Sequence, residues 1–373
     1  MHLLILTIEY PPVGGGASPV IHEINRRFIR KGHKVSVITM AVKGLEEHVV
    51  QDGIDVYNIK CSRIHKHMSN IWEHISFIVA AKKFLRAFIP KQQIDFCFTH
   101  FLLPSGILAK WLYTKYNIPY TLTTHGSDIP GFNPDRFRMV HWFTPPLIRS
   151  IVQSSVAVIA PSKFIFNLIL QVRGIQEEKL VHITNGVDTD YYQPGEKKPI
   201  VLSTGRLLER KGFQYLIDAV ADESFPFVVH ICGDGPMMKT LREKAAKSKT
   251  SIVFHGWMNN KSDEYLKLLS EASFFVLVSA KENASISLLE GLSAGCVVIT
   301  SNVSGCPETV GSAGICIPPA DAHTLRAVLK DLTTSPDKAA KFMKEGRERA
   351  IKHFAWNKIS DQYLSLIPEK INT

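Results

Sequence analysis

Short apolar runs recur along the chain, and most are followed by a stretch with the 3.6-residue periodicity of an amphipathic helix. The N-terminal half contains HLLILTI, HKVSVITM, IDVYNIK, DFCFTHF, YTLTTHG, VAVIAPS and LVHITNG. The C-terminal half contains IVLSTGR, PFVVHICGDGP, SIVFHGW, FFVLVSA and CVVITSN. Strands buried on both faces read as continuous apolar runs, so this alternation predicts parallel sheets covered by helices on both faces.

A polar, proline-bearing segment over residues 185–199, NGVDTDYYQPGEKKP, separates the two sets of runs. The length of 373 residues suits two domains of about 150–200 residues each. We predict an α/β protein with two doubly wound, Rossmann-like domains that face each other across a cleft. The N-terminal domain is predicted over 1–188 and the C-terminal domain over 189–373, with a last helix that can cross back to the first domain.

Composition and charge narrow the function classes. The chain is 45% hydrophobic and 21% charged, and no apolar run approaches the ~18 residues of a membrane span. With no basic leader at the start, we expect a cytoplasmic protein. The net charge is +10, and most of the basic excess lies in residues 1–195. An anionic partner is implied, which leaves phosphate-bearing small molecules, nucleic acid and an acidic membrane surface open.

Polar residues that follow strands are the first candidates for a site, because ligands of doubly wound sheets bind at the carboxyl ends of strands. A triple glycine after the first strand suits either a tight turn or close approach to a ligand. A histidine after YTLTT is either a hydrogen-bonded core residue or a ligand contact. Two cations after IVLSTG suit a diphosphate or a solvated basic turn. These candidates are Gly14, Gly15, Gly16, His125, Arg206 and Lys211.

The stretch SAKENASISLLEGLSAG holds two carboxylates, Glu282 and Glu290, with small or apolar residues between them. They could be solvated glutamates that share the outer face of one helix. Alternatively, the first lies in a loop after a strand and the second on a helix from about Ser287, so that both face one ligand. Turn chemistry explains Asp188 and Asp190 without a ligand, and no metal site is predicted.

Taken together, these motifs resemble the GT-B glycosyltransferases, and within them the large retaining family 4. The resemblance covers nearly the whole chain. It rests on EYPPVGGGAS, GHKVSVIT, THGSD, APS, NGVDTDYY, GRLLERKG, GDGP and ENASISLLEGLSAGCVVIT with its E-x7-E pair. It implies transfer of a sugar from a nucleotide-diphosphate sugar, UDP- or GDP-linked, to an acceptor hydroxyl in envelope polysaccharide, lipopolysaccharide or glycolipid synthesis. No further cofactor is implied.

The resemblance also implies roles for individual residues. Arg206 and Lys211 would grip the donor diphosphate, and Glu290 would accept hydrogen bonds from the ribose. Glu282 would contact the hydroxyls of the donor sugar, and His125 would touch that sugar near the reacting carbon. The remaining assignments concern the backbone: Gly15 and Gly16 would let a loop close over the diphosphate, and the amides around Ser285 and Ile286 would lie near the phosphate.

One departure from the family pattern bears on the donor sugar. Many relatives carry Phe-Gly shortly after the first glutamate, whereas this chain has Ala284-Ser285. Because serine tolerates fewer backbone conformations than glycine and adds a hydroxyl, the identity of the sugar does not follow from the resemblance.

Two other functions fit parts of the sequence. A nucleotide-sugar 2-epimerase of related fold would also hold a diphosphate between two such domains, but it needs acid and base groups at the second carbon of the sugar. A nucleic-acid-binding protein would explain the charge, yet no recognition helix, zinc spacing or aromatic-basic sheet motif supports one. We therefore expect no nucleic-acid partner.

Residues 60–91 suggest where the enzyme acts. This segment holds seven lysines or arginines and one acidic residue, Glu73. The pattern predicts a helix over 71–89 with one broad apolar face bordered by Lys82, Lys83 and Arg86. The face either packs on the sheet or docks on an anionic bilayer. We expect peripheral binding to the inner face of the cell membrane and a lipid-linked or glycan acceptor. The predicted apolar face comprises Ile71, Ile75, Ile78, Phe84, Leu85 and Phe88.

Overall fold

The computed structural model describes residues 1–66, 68–126, 128–129, 131–132 and 144–369. The chain divides into two compact units. The N-terminal unit comprises Met1–Thr184 together with the segment that begins at Trp356, and the C-terminal unit comprises Asn185–Ala355. Each unit is built on one largely parallel sheet, so the predicted α/β class with two parallel-sheet domains is confirmed.

The sheet of the N-terminal unit has eight strands in the order β3-β4-β2-β1-β5-β6-β7-β8. All neighbouring pairs are parallel except β3 and β4. The strands at its centre are buried throughout, as their continuous apolar runs require. The strands are β1 (His2–Leu6), β2 (Lys34–Met40), β3 (His48–Gln51), β4 (Ile54–Ile59), β5 (Phe96–His100), β6 (Tyr120–Thr123), β7 (Val158–Ala160) and β8 (Leu180–His182).

Strand β3, a half-exposed edge strand, was not predicted from the pattern of apolar runs. Its turn into β4 is Asp52-Gly53, and both residues have positive φ, 51° and 80°. An Asp-Gly pair with this geometry forms a two-residue hairpin, and such a hairpin makes an antiparallel pair. The Asp-Gly pair is therefore the feature of the sequence that indicates this hairpin.

Helices cover the N-terminal sheet. The segment from Trp356 forms a C-terminal helix, Trp356–Leu364, that packs against the first helix of the chain. The Lys31 ammonium lies 2.5 Å from the Asp361 carboxylate, and the rings of Phe98 and Tyr363 have centroids 6.0 Å apart. Before this segment, the described residues of the unit form the helices α1 (Ala17–Arg30), α2 (Ile71–Phe88), α3 (Ser105–Tyr116), α4 (Pro145–Ser154) and α5 (Lys163–Leu170).

Helix α2 begins at Ile71 because Asn70 and Glu73 form a capping box. The Asn70 side chain accepts from the Glu73 amide, and the Glu73 carboxylate accepts from the Asn70 amide at 2.8 Å. The Glu73 carboxylate also accepts from the Ile64 amide at 3.0 Å. The only acidic side chain of the 60–91 segment is thus buried in a structural role.

The predicted single apolar face of α2 is wrong. Phe77, Ala81 and Leu85 form the buried face. Phe84 and Phe88 lie on the same side and pack on Tyr57 with ring centroids 5.3 and 5.0 Å away, whereas Ile71 and Ile75 of the predicted face are exposed. The helix is apolar on more than one side, so a single stripe could not be read from the sequence. A separate group of large apolar side chains is exposed on α2 and the segment before it: Ile64, Met68, Ile71, Trp72, Ile75 and Val79.

The sheet of the C-terminal unit has six parallel strands in the order β11-β10-β9-β12-β13-β14. Successive residues of its central strands enter two different cores: Val201 and Val276 lie in one, Leu202 and Leu277 in the other. The strands are β9 (Lys198–Thr204), β10 (Val228–Cys232), β11 (Ile252–Gly256), β12 (Ala272–Leu277), β13 (Val297–Ser301) and the unpredicted edge strand β14 (Ile315–Ile317).

The helices of the C-terminal unit lie on both sides of its sheet. They are α6 (Phe213–Ala221), α7 (Met238–Ala245), α8 (Asp263–Glu271), α9 (Ile286–Ser293), α10 (Cys306–Val310), α11 (Ala322–Thr334) and α12 (Pro336–Phe354). Within the described ranges of both units, no helix combines the length and the apolar character needed to cross a bilayer.

Candidate active site

In the C-terminal unit, the loops that follow β9 and β12 touch each other through their backbones. Gly212 ends the first loop with φ +79°, and a Cβ there would lie 2.1 Å from the carbonyl oxygen of Val278, so only glycine fits. The Ala280 amide donates to the Arg210 carbonyl at 2.8 Å. This close approach brings Lys211 next to Glu282.

Lys211 and Glu282 form an ion pair that is largely shielded from solvent. The Lys211 ammonium lies 2.5 Å from Glu282 Oε1, and the two side chains are 18% and 10% exposed. The Ser279 hydroxyl donates to the same carboxylate oxygen at 2.7 Å. A shielded cation beside a carboxylate can exchange that partner for a phosphate oxygen, which leaves the carboxylate free to accept from hydroxyl groups.

Arg206 lies one residue after Gly205, at the carboxyl end of β9, and is exposed. Its guanidinium makes no hydrogen bond or ion pair with the part of the chain that the structure describes. A guanidinium in this position is available to bind a phosphate group through two parallel hydrogen bonds. Within the described residues, the structure thus places the unpaired Arg206 just after β9 and the paired Lys211 in the loop that follows.

Glu290 lies on α9, where the second of the two hypotheses placed it, and its side chain is buried. Its carboxylate accepts from Asn260 Nδ2 and from the Tyr265 hydroxyl, both at 3.1 Å. Burial raises the pKa of Glu290, and the hydrogen bonds from Asn260 and its tyrosine neighbours oppose that shift. Polar groups therefore hold the carboxylate in one orientation, suited to accepting from the hydroxyls of a ligand.

Ser285 and Ile286 form the start of α9. Ser285 is the N-cap residue, and its side chain does not cap the helix; its hydroxyl instead lies 3.2 Å from that of Ser287. The Asn185 side chain donates to the Ala284 carbonyl at 2.7 Å and fixes the preceding turn. First-turn amides without a side-chain cap are suited to binding an anion such as phosphate.

In the N-terminal unit, His125 follows β6 and is partly buried. Its Nε2 lies 3.1 Å from His100 Nδ1, and the Phe101 ring packs on it with a centroid distance of 4.7 Å. Its backbone amide donates to Asp128 Oδ1 at 3.0 Å. Burial lowers the pKa of His125 to about 3, so the ring is neutral at physiological pH.

In the glycine loop after β1, the constrained residue is Gly14, whereas roles were expected for Gly15 and Gly16. Gly14 has φ +120°, and a Cβ there would lie 2.6 Å from the Cβ of Glu9. Gly16 has open space around it and is the N-cap residue of α1. The Gly15 amide donates to Glu9 Oε2 at 2.8 Å, so a carboxylate of the chain itself accepts from the backbone of the loop that was expected to close over the diphosphate.

Several residues that support these groups were missed by the sequence analysis: His100, Ser279, Asn260, Tyr265 and Glu9. His100 and Ser279 were detectable, because each lies at the carboxyl end of a strand or just beyond it. Asn260 and Tyr265 lie before and within α8, and nothing in their spacing links them to Glu290. Asp188, by contrast, accepts from the Tyr191 amide at 3.2 Å, in the turn that its sequence predicts.

Two family models match the chain on either side of the linker. The model described as Glycosyltransferase Family 4 matches residues 14–191, and the model described as Glycosyl transferases group 1 matches residues 190–349. The chain therefore belongs to the group 1 and family 4 type of GT-B glycosyltransferases, and it is a transferase enzyme. The predicted family is confirmed.

Similar proteins cover the chain nearly end to end. An uncharacterized glycosyltransferase of Methanocaldococcus jannaschii is 26% identical over 96% of this chain and 95% of its own length. The MMP alpha-(1->4)-mannosyltransferase of Mycolicibacterium hassiacum is 24% identical over 100% and 98%. Among solved structures, the sucrose-phosphate synthase of Thermosynechococcus elongatus has a TM-score of 0.84 at 19% identity, covering 100% of this chain and 99% of its own.

Proposed function

We propose that this glycosyltransferase moves a sugar from a nucleoside-diphosphate sugar to an acceptor hydroxyl and retains the anomeric configuration. The observation that carries the proposal is the shielded Lys211–Glu282 pair in the loops after β9 and β12, together with the exposed Arg206 at the end of β9. Similarity to HepE of Anabaena supports such a donor, since that protein was solved with UDP and with UDP-glucose. The two structures have TM-scores of 0.78 and 0.74 and 17% identity, and each match covers at least 98% of both chains. We expect a UDP- or GDP-linked sugar.

The site residues divide the chemistry between the leaving group and the sugar. As the bond from the anomeric carbon to the phosphate oxygen breaks, negative charge develops on the diphosphate, and Arg206 and Lys211 offset it. Glu282, released from Lys211, accepts from the sugar hydroxyls, while Glu290 accepts from the ribose. His125 contacts the sugar near the reacting carbon. The departing phosphate takes the acceptor proton on the same face, which yields retention.

A thermal-shift panel followed by product analysis tests this function. UDP, GDP and ADP are compared first, because a ligand at 100 times its Kd adds about 2.7 kcal/mol of stability to the folded state. The sugar nucleotide that matches the best ligand is then incubated with glycan and lipid-linked acceptors, and proton NMR of the product reports its anomeric configuration. An inverted product contradicts retention. A stereoisomer with the nucleotide still attached, formed without acceptor, indicates a 2-epimerase.

We further propose that the acceptor is lipid-linked or an envelope glycan, and that the enzyme binds an anionic membrane surface through the 60–91 segment. Trp72, Ile75 and Val79 share one exposed side of α2, and Trp72 is 74% exposed. Lys83 and Arg86 continue that side toward the end of the helix and are exposed. Glu73, the only acidic residue of the segment, is 3% exposed. Aromatic and aliphatic side chains bordered by cations suit an anionic bilayer interface.

Sedimentation with liposomes tests the membrane surface. Binding is expected to require anionic lipid, to weaken with salt, and to fall in Trp72→Ala and when Lys82, Lys83 and Arg86 are changed to Gln. Trp257→Ala is the matched control, since Trp257 is equally exposed, at 74%, but lies in the C-terminal unit. Equal recovery in the supernatant with neutral and anionic vesicles at low salt would favour an acceptor free in solution.

A further inference from the structure

His100 is a buried histidine at the end of β5 that the proposed chemistry does not use. It is fully shielded from solvent, and its Nδ1 lies 3.1 Å from Nε2 of His125. The two rings are nearly parallel, with an interplanar angle of 27° and centroids 5.3 Å apart. One ring nitrogen of each histidine is therefore committed to a single shared hydrogen bond.

Asp128 fixes the backbones that carry these two rings. Its Oδ1 accepts from the His125 amide at 3.0 Å, and its Oδ2 accepts from the Leu102 amide at 2.7 Å. The carboxylate thus joins the loop after β5 to the loop after β6. Because both loops are held by one buried side chain, the separation of the two imidazoles is set by the fold rather than by the contact between them.

The direction of the shared hydrogen bond follows from the surroundings of His100. Burial lowers the pKa values of both histidines, so each ring is neutral and carries one proton. His100 Nε2 is buried and has no hydrogen-bond partner within the described chain. A buried N–H without an acceptor is rarer in proteins than a buried acceptor without a donor. The proton of His100 is therefore placed on Nδ1, which donates to Nε2 of His125.

If Nε2 of His125 accepts, its own proton must lie on Nδ1. We propose that His100 is a positioning residue that fixes this tautomer, so that His125 presents its Nδ1–H to an oxygen of the donor sugar. The tautomer follows from the structure of the N-terminal unit alone, whereas its effect on turnover rests on the proposed function.

NMR of the full chain with ¹⁵N-labelled histidine tests the tautomer without any substrate. The shifts of the two ring nitrogens and their couplings to the ring protons show which nitrogen carries the proton, and His125→Gln identifies the signals of His125. We expect Nδ1–H in the wild type. In His100→Phe, which keeps an aromatic ring but removes the donor, we expect His125 to shift toward the Nε2–H form that imidazoles favour in water. His100→Asn retains an N–H near the position of Nδ1 and is expected to restore Nδ1–H.

Kinetics with the donor found by the thermal-shift panel complete the test. His100→Phe is expected to lower kcat between about threefold and tenfold, as loss of one neutral hydrogen bond does, with donor KM within about twofold and recovery in His100→Asn. An Nε2–H tautomer in the wild type, or the same tautomer in all three proteins, overturns the proposal; if His100→Phe does not fold, the wild type and His100→Asn still decide it. Nδ1–H in a protein with no transferase activity supports the positioning role and contradicts the proposed function.

Discussion

The two units hold their candidate site residues by different forces. In the C-terminal unit, a shielded ion pair joins Lys211 to Glu282. In the N-terminal unit, two neutral rings share a hydrogen bond, and Asp128 binds backbone amides. The attraction between two full charges falls off slowly with distance, so a charged side chain can move from one partner to another and remain attracted to both. The strength of a hydrogen bond between neutral groups, by contrast, depends steeply on its distance and angle. The ion pair is therefore suited to releasing Lys211 to a ligand, and the histidine pair is suited to keeping one geometry.

The largest effect is expected from removing either cation. Arg206→Ala and Lys211→Ala should each lower turnover by about two to three orders of magnitude, because each removes a charge that is proposed to stabilise the leaving diphosphate. Steady-state kinetics measure the loss, and circular dichroism checks the fold. Arg210→Ala removes an exposed charge from the same turn and should stay within about twofold of the wild type. Near-normal turnover in both folded variants would refute the diphosphate assignment.

The two glutamates should separate binding from chemistry within the C-terminal unit. Glu290→Ala loses charge-assisted hydrogen bonds to the ribose and should mainly raise the donor KM, by about tenfold or more. Glu282→Ala acts nearer the reacting sugar and should mainly lower kcat. Initial rates at varied donor concentration distinguish the two. The opposite pattern would mean that the two residues have exchanged the roles assigned to them.

Acid should weaken the N-terminal unit through its histidine pair. Folded His100 and His125 have lowered pKa values, so below about pH 6.5 the unfolded chain binds protons that the folded pair does not. Their contribution to stability is complete above that pH and is lost as the pH falls toward 3. Each kcal/mol lost lowers Tm by about 2–4 °C in a unit of this size.

Melting curves between pH 7 and 4 measure this loss. His100→Asn should show a shallower decline than the wild type, and His65→Asn, at an exposed histidine, should follow the wild type. Asp128 has a pKa raised by burial and acts with the opposite sign, but it is present in all three proteins, so the differences report the histidines. Parallel curves for all three would contradict a buried neutral pair.

The smallest effect is expected from a chelator. Under the proposed function, Arg206 and Lys211 supply the positive charge for the diphosphate, so turnover in EDTA should stay within about twofold of the untreated enzyme. Assays with and without EDTA, before and after added magnesium or manganese, measure this. Activity lost in EDTA and restored by either metal would bring Asp188 and Asp190 back as candidate ligands.

The sequence predicted the sheets and the charged residues better than the network around them. Central strands such as β5 and β12 are buried on both faces and leave a continuous apolar run, while the edge strands β3 and β14 do not. Charged residues in the loops that follow strands, such as Lys211 and Glu282, can be identified from the sequence because a charge near the buried sheet needs a partner. His100 closes an apolar run, and only the fold shows that it meets His125.

The helix α2 shows a different limit. Its periodicity predicted a helix over 71–89, and the helix spans Ile71–Phe88. The faces could not be assigned in the same way, since Ile75 and Phe77 lie on nearly opposite sides of the helix and only Phe77 is buried. Which apolar side faces solvent depends on what packs against the helix. Phe84, for example, packs on Tyr57, which is distant in sequence. The exposed group with Trp72 therefore emerged only from the structure.

Titration calorimetry with the nucleoside diphosphate selected by the thermal-shift panel tests most directly whether the C-terminal cations hold the donor. Wild type and Arg210→Ala should bind with similar Kd, while Arg206→Ala and Lys211→Ala should each bind at least about tenfold more weakly, as expected for loss of a charge-assisted hydrogen bond. Equal Kd values for all four proteins, or no binding of any nucleoside diphosphate to the wild type, would contradict the account.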